Sequence, residues 1–151
     1  VRLIAVGRLR AGPEAELFER YNSRLRPKLS VTEVADGHGA PAEIKRRESE
    51  ALLAAVPADA CAVALDLGAP PLSSEQFAQR LEAWLGGGQT VTFLIGGAEG
   101  LGRPVLDRAN HVLSLGLLTW PHMLVRVMLV EQIFRARAIA SGHPYHRAGR
   151  P

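Results

Sequence analysis

Cysteine occurs once in the 151 residues, as Cys61, which excludes a disulfide framework and any metal site built on clustered thiolates. Lysine is almost as scarce, with sixteen of the eighteen basic residues being arginine. No apolar run reaches the ~20 residues a membrane span needs; the most apolar segment is interrupted by Arg126 and Glu131. The first apolar stretch, 3–6, is too short for a secretory signal and runs into Arg8 and Arg10, so a cytoplasmic chain is expected. Internal repeats, low-complexity tracts and composition breaks are also missing. One domain over 1–151 is the expectation. With 47% hydrophobic and 22% charged residues, the chain has enough apolar material for an unstapled core.

What is present is a modest basic excess, +3 overall, unevenly spread. Five arginines face one glutamate between Arg126 and Arg150, with His143 and His146 in addition. Such a balance suits a solvated surface equally with an arginine face for nucleic-acid phosphate, and charge alone leaves both open.

Short Val/Ile/Leu-rich runs alternate with amphipathic segments. Strands are predicted at 2–6, 31–35, 62–66, 90–95 and, more weakly, 112–115. Helices are predicted at 14–25, 41–55, 74–85 and 104–110, the third opened by a Ser73–Gln76 capping box and closed by Gly86-Gly87-Gly88. That alternation predicts an α/β domain with a largely parallel sheet flanked by helices. A last helix, 123–140, is apolar nearly all round in its first half. The sheet can cover one side; a two-fold partner is the simplest cover for the other, with full burial inside one chain as the alternative.

The stretch "LIGGAEGLG", Leu94 to Gly102, carries the chemistry. A glycine-rich turn after a buried strand is a site candidate, because ligands of α/β sheets sit at the carboxyl ends of strands. The dinucleotide pattern fails here, since the G-x-G of this stretch, Gly100-Leu101-Gly102, is followed three residues on by Val105. The phosphate-loop pattern fails as well. Gly97 and Gly102 are correctly spaced, but Arg103-Pro104 replaces Lys-Ser/Thr, and Glu99 would repel a triphosphate. An acid among glycines suits a ligand with positive charge and no phosphate, and S-adenosylmethionine is such a ligand. The glycines would let bare backbone lie against adenine and ribose. A ligand-free strand-to-helix turn is the alternative. Downstream, the apolar loop from Leu115 to Trp120 would supply flat walls for an adenine slot, with Pro121 setting the start of the long helix.

"LIGGAEGL", "SLGLLTWPHMLVRVMLVEQIFRA" and "HPYHR", with "LIAVGRL" and "VALDLGAPPLSSEQFA" before them, resemble the ribosomal RNA large subunit methyltransferase H family of the SPOUT superfamily. The resemblance runs along the whole chain and is most specific in the last fifty residues. It implies a SPOUT-type α/β knot, in which the carboxyl-terminal part threads through a loop, an exception to the general absence of knots. It further implies a homodimer that uses S-adenosylmethionine, without a metal, to methylate N3 of a pseudouridine in helix 69 of bacterial 23S rRNA on assembled ribosomes. The family's cofactor contacts carry over to Leu65, to Gly96 with Gly97 beside it, and to Leu115, Gly116, Leu117, Leu118, Thr119 and Trp120. Three departures stand out: Gly116 where serine is common, Met123 where a polar residue or proline is commoner, and Ala148 to Pro151 beyond the usual end.

Methyl transfer is an in-line displacement in which the enzyme chiefly aligns the reacting atoms. Removing the imide N3 proton would help, and histidine is the usual base; His146, His143 and His122 are the candidates. Tyr145, His146 and Arg147 combine a stacking ring with a phosphate-binding guanidinium and are expected to touch RNA; a frayed end is the alternative. Arg135, four residues after Glu131, fits a plain salt bridge as well as a substrate contact. Asp66 ends its strand beside the expected pocket and is a further candidate as an orienting acid. Two rivals remain on this reading: a SPOUT methyltransferase acting on tRNA, and a non-catalytic ribosome-binding protein.

Overall fold

Every predicted strand forms. In the computed structural model, which describes residues 1–147, they are β1 (Arg2–Val6), β2 (Ser30–Val34), β3 (Cys61–Leu65), β4 (Val91–Ile95) and β5 (His111–Leu113). All pairings are parallel, in the order β2-β1-β4-β3-β5. Parallel strands need crossovers, and the helices supply them: α1 (Pro13–Asn22), α2 (Pro41–Ala55), α3 (Ser74–Gly86) and α4 (Arg103–Arg108), followed by the terminal α5 (His122–Ala140). Residues 148–151, including the short extension, lie outside the described residues.

Side-chain alternation sorts the strands into two cores. Leu3, Ala5, Val63, Val91, Phe93 and Ile95 face α1, α3 and α5, while Ile4, Val6, Ala62, Ala64 and Leu94 face α2 and α4. Both faces of β1, β3 and β4 are covered, so these strands read as continuous apolar runs rather than polar alternations. On the α5 side, the rings of Phe77, Trp84 and Phe93 meet with centroids 6.3–6.4 Å apart. β2 is an edge strand and is largely exposed, which its Thr32 and Glu33 tolerate.

The capping box forms in both directions. Gln76 N–H donates to Ser73 Oγ at 3.2 Å, and Ser73 N–H donates to Gln76 Oε1 at 2.9 Å. Three boundaries differ from expectation by two residues or more, each for a local reason. α1 stops at Asn22 because that side chain is buried and pairs with Leu29, accepting its N–H at 2.8 Å and donating to its carbonyl at 3.2 Å. α4 stops at Arg108, since Ala109 turns extended and Asn110 instead bonds to β3 through Ala62. β5 is shorter than predicted: the chain leaves the sheet after Leu113, and Ser114 and Gly116 form a turn closed by the Ser114 hydroxyl.

Within α5, Arg126 lies at the centre of the packing with 1% of its surface exposed. Its guanidinium donates to the carbonyls of Val6 and Gly7 and pairs with Glu33 at 3.0 Å, tying the helix start to the end of β1. Met123, Leu124, Val125 and Met128 stay half-buried in the single chain. No helix among the described residues is long and apolar enough to cross a membrane.

Candidate functional site

The carboxyl ends of β3 and β4 and the chain leaving β5 meet at one edge of the sheet. There they enclose an open cleft of about 220 Å³. Its walls include Leu65 and Leu67 after β3, Ile95, Gly96, Gly97 and Leu101 after β4, and Leu115, Leu118, Thr119 and Trp120 before α5. His122 and Val125, on the first turn of α5, close one side. Three segments spread over residues 65–120 therefore converge, the first of them expected from the family resemblance alone. Two of the nine predicted positions lie elsewhere: Gly116 lines the neighbouring groove, and Leu117 projects outward with 81% of its surface exposed.

The glycines of the loop also meet a steric need that the sequence did not suggest. A Cβ on Gly96 would lie 2.8–2.9 Å from the carbonyl group of Gly100, across the turn closed by Gly100 N–H to Gly97 O at 3.1 Å. On Gly97 it would lie 2.6 Å from the Glu48 carboxylate, and on Gly102 it would strike the Ser49 hydroxyl. What the backbone approaches so closely is its own turn and helix α2. Gly102 N–H donates to Ser49 Oγ at 3.2 Å, so α2 holds the loop from beneath. Glu48 is buried; Oε1 accepts the Gly37 N–H at 3.0 Å and Oε2 has no partner among the described residues. Neither Glu48 nor Ser49 carries a motif, so the sequence offered no signal for them. Gly100 and Gly116 differ from the other three: both have positive φ, +72° and +114°, with open space where a Cβ would be. A serine at 116 would be strained in this conformation.

Glu99 sits at the exposed tip of this turn and is not among the residues lining the cleft. No lysine or arginine lines it either, among the described residues. Apolar walls with bare main chain and no cation match a neutral or positively charged nucleoside and disfavour a polyphosphate. This chemistry fits S-adenosylmethionine.

The tail residues are held on the helix side, away from the cleft lining. Tyr145 Oη donates to Glu131 Oε1 at 3.0 Å and its ring packs edge-on against Phe134 at 4.8 Å. Arg135 pairs with the same carboxylate at 2.5 Å, which raises its pKa, and its guanidinium lies 5.0 Å from the Tyr145 ring centre. Burial, with the bonds to Tyr21 and Glu131, raises the Tyr145 pKa. The His146 ring lies between Glu75, 2.7 Å from Nε2, and Arg135, 3.3 Å from Nδ1. Glu75 must accept and the guanidinium must donate, so the bonding assigns the hydrogen to Nε2 and occupies the Nδ1 lone pair. Docked in this way, His146 has no free lone pair to receive a proton. Of the three candidate bases only His122 lines the cleft; His143 is exposed and accepts the Tyr145 N–H at 3.2 Å. Arg147 is exposed. From His122 to Glu131 is about 14 Å along the axis of α5, and that is the spacing between cleft and tail cluster along the helix.

The hydrogen bond from His146 holds the Glu75 carboxyl well below its usual range, at about 2. A depressed carboxylate pKa favours the docked tail above the ordinary carboxylate range and loses that contribution as pH falls toward 2. Carbon-detected NMR titration should find the Glu75 midpoint near 2 in the native protein. In His146→Ala it should move up toward ordinary values. An unmoved midpoint would detach the acid from the tail.

An all-parallel α/β sheet with an apolar, main-chain-lined cleft over its strand ends is an arrangement in which α/β domains take small-molecule ligands. The sequence profile described as "Predicted SPOUT methyltransferase" matches residues 1–146, and the chain belongs to that family of methyltransferases. Among curated relatives, the chain is 63% identical to the ribosomal RNA large subunit methyltransferase H of Gluconacetobacter diazotrophicus, covering 100% of this chain and 99% of that protein. It is 52% identical to the protein of the same name from Acidiphilium cryptum, covering 100% and 96%. A crystal structure of TrmJ from Z. mobilis shares the fold at a TM-score of 0.55 and 18% identity, over 90% of this chain and 69% of that one.

Proposed function

We propose that this protein is a cytoplasmic homodimer that methylates N3 of a pseudouridine in helix 69 of bacterial 23S rRNA on assembled ribosomes, with S-adenosylmethionine as donor. The convergence of the 65–67, 96–101 and 115–120 segments on one apolar cleft carries the donor assignment. The rRNA substrate follows from full-length identity of 63% and 52% to relatives named for that activity. When bound, the donor supplies a methyl group on a sulfonium centre. Leu65, Gly96, Gly97, Leu115, Leu118, Thr119 and Trp120 would hold it against apolar walls and exclude water, while the Gly116 and Leu117 backbone shapes the loop. His122, at the cleft, is placed to accept the imide proton. Tyr145, His146, Arg147 and Arg135 would meet the RNA along α5, with the His146 ring leaving Glu75 and Arg135 as it does so. The half-buried Met123, Leu124 and Met128 side chains support a second copy packed on α5, and the passage from β5 over the strand ends to Arg126 beneath β1 suits a threaded carboxyl terminus.

The decisive experiment incubates the protein with methyl-labelled donor and methyl-deficient 70S ribosomes and maps the modified base. Label at a base outside helix 69, or in tRNA alone, would overturn the substrate. Truncation before Tyr145 should leave donor affinity intact and end methylation of ribosomes; full activity in the truncated protein would remove the tail from the reaction.

A further inference from the structure

Among its described lining residues the cleft presents one carboxylate, and it is not the acid of the glycine loop. Glu99 lies on the exposed tip of the 97–100 turn, whereas Asp66 lines the cleft. Asp66 is the first residue past β3 and is fixed from two directions. Its N–H donates to Leu113 O at 3.0 Å, and its Oδ1 accepts the Gly68 N–H at 2.8 Å. The second carboxylate oxygen has no hydrogen-bond partner among the described residues. The same cleft is lined by Leu65, Leu67, Ile95, Leu115 and Val125, with His122 the other titratable group of the lining. An anion with a free oxygen in an apolar-walled cleft attracts a cation more strongly than it would in open water.

We propose that Asp66 is the residue by which this cleft distinguishes the cationic methyl donor from the neutral thioether left after transfer. The inference rests on the donor reading above and adds the group that senses the charge. In the transfer the methyl carbon leaves sulfur for the imide nitrogen, the S–C bonding pair stays on sulfur, and the nitrogen's proton passes to a base or to water. The positive charge on sulfur disappears with the methyl group. A fixed carboxylate therefore favours the donor before reaction and gives the product no matching attraction, which promotes release.

The test is calorimetric and needs no turnover. S-adenosylmethionine and S-adenosylhomocysteine, which differ only in the methyl group and its charge, are each titrated into the wild-type protein, Asp66→Asn and Glu99→Gln. Asparagine keeps the carbonyl oxygen that accepts the Gly68 N–H, so the turn survives the substitution. Asp66→Asn should weaken the methionine compound about ten- to hundredfold, as expected on losing a close, partly desolvated charge–charge attraction, and leave the homocysteine compound unchanged. Glu99→Gln should alter neither. Parallel weakening of both ligands by Asp66→Asn would overturn the proposal, because the contact would then be to the shared nucleoside or amino-acid portion. No change in either ligand would overturn it too. Failure of the wild-type protein to bind either compound would instead remove the donor reading beneath it.

Discussion

Gly96→Val is expected to lower affinity for S-adenosylmethionine by about a hundredfold or more, measured by calorimetry. The reason lies in the turn rather than in direct contact with a ligand. A Cβ at this position would stand 2.8 Å from the carbonyl carbon of Gly100 and 3.1 Å from Leu101, and the first of these is backbone that cannot rotate aside. The collision has to be relieved by opening the 97–100 turn, which moves Gly97, Ala98 and Gly100 along the cleft wall. Overpacking of this kind costs about 1–3 kcal/mol, enough at its upper end for that loss of affinity. Gly96→Ala should give a smaller loss of the same sign, since it carries the Cβ without the branches. Affinity unchanged in the valine variant would count heavily against the cleft as the donor site.

The second large effect is expected at Arg126. Arg126→Met should lower the unfolding midpoint by roughly 10 °C, with donor binding weakened as well. Removing the guanidinium leaves the groups it bonds without a donor, and each buried one costs about 1–3 kcal/mol. Here those groups are the Val6 and Gly7 carbonyls and Glu33. In a chain of this size each kcal/mol moves the midpoint by about 2–4 °C. The effect reaches the cleft because Arg126 fixes the first turn of α5, where His122 and Val125 line it. Burial lowers the pKa of the guanidinium, and the Glu33 charge opposes that shift. Arg126→Lys keeps the charge but not the fork that reaches two carbonyls and a carboxylate together, so an intermediate loss is expected. A scanning-calorimetry midpoint equal to wild type in Arg126→Met would mean that the bonds are replaceable by packing.

Arg126 also marks where reading the chain in one dimension stops. As a letter it is a charge interrupting an apolar run, which is enough to exclude a membrane span and says nothing about burial. Its place inside follows from carbonyls at the end of β1, some 120 positions earlier in the chain. The glycine loop divides in the same way. Its position after a buried strand and its mismatch to both phosphate fingerprints are local facts, and they pointed to the strand ends where the cleft lies. That its glycines are required by Glu48, Ser49 and the turn itself depends on how α2 lies beneath the loop. Glu99 looked like the acid for a cationic ligand because it is adjacent in sequence; the turn aims it outward and leaves Asp66 facing the cleft. The Arg135–Glu131 pair was open to two readings from spacing alone, and the folded tail adds Tyr145 and His146 to it.

By itself the sequence determined the elements: which stretches extend, which coil, that the strands run parallel, and that the glycine and tryptophan loops belong to one end of the sheet. These follow from periodicity, capping and turn chemistry, whose interactions span only a few residues. The tertiary structure alone decided which charges are buried, which acid meets the ligand space, and where the tail rests. Those outcomes turn on a few ångströms between segments far apart in the chain, and electrostatics and packing in a low-dielectric interior change steeply over that distance.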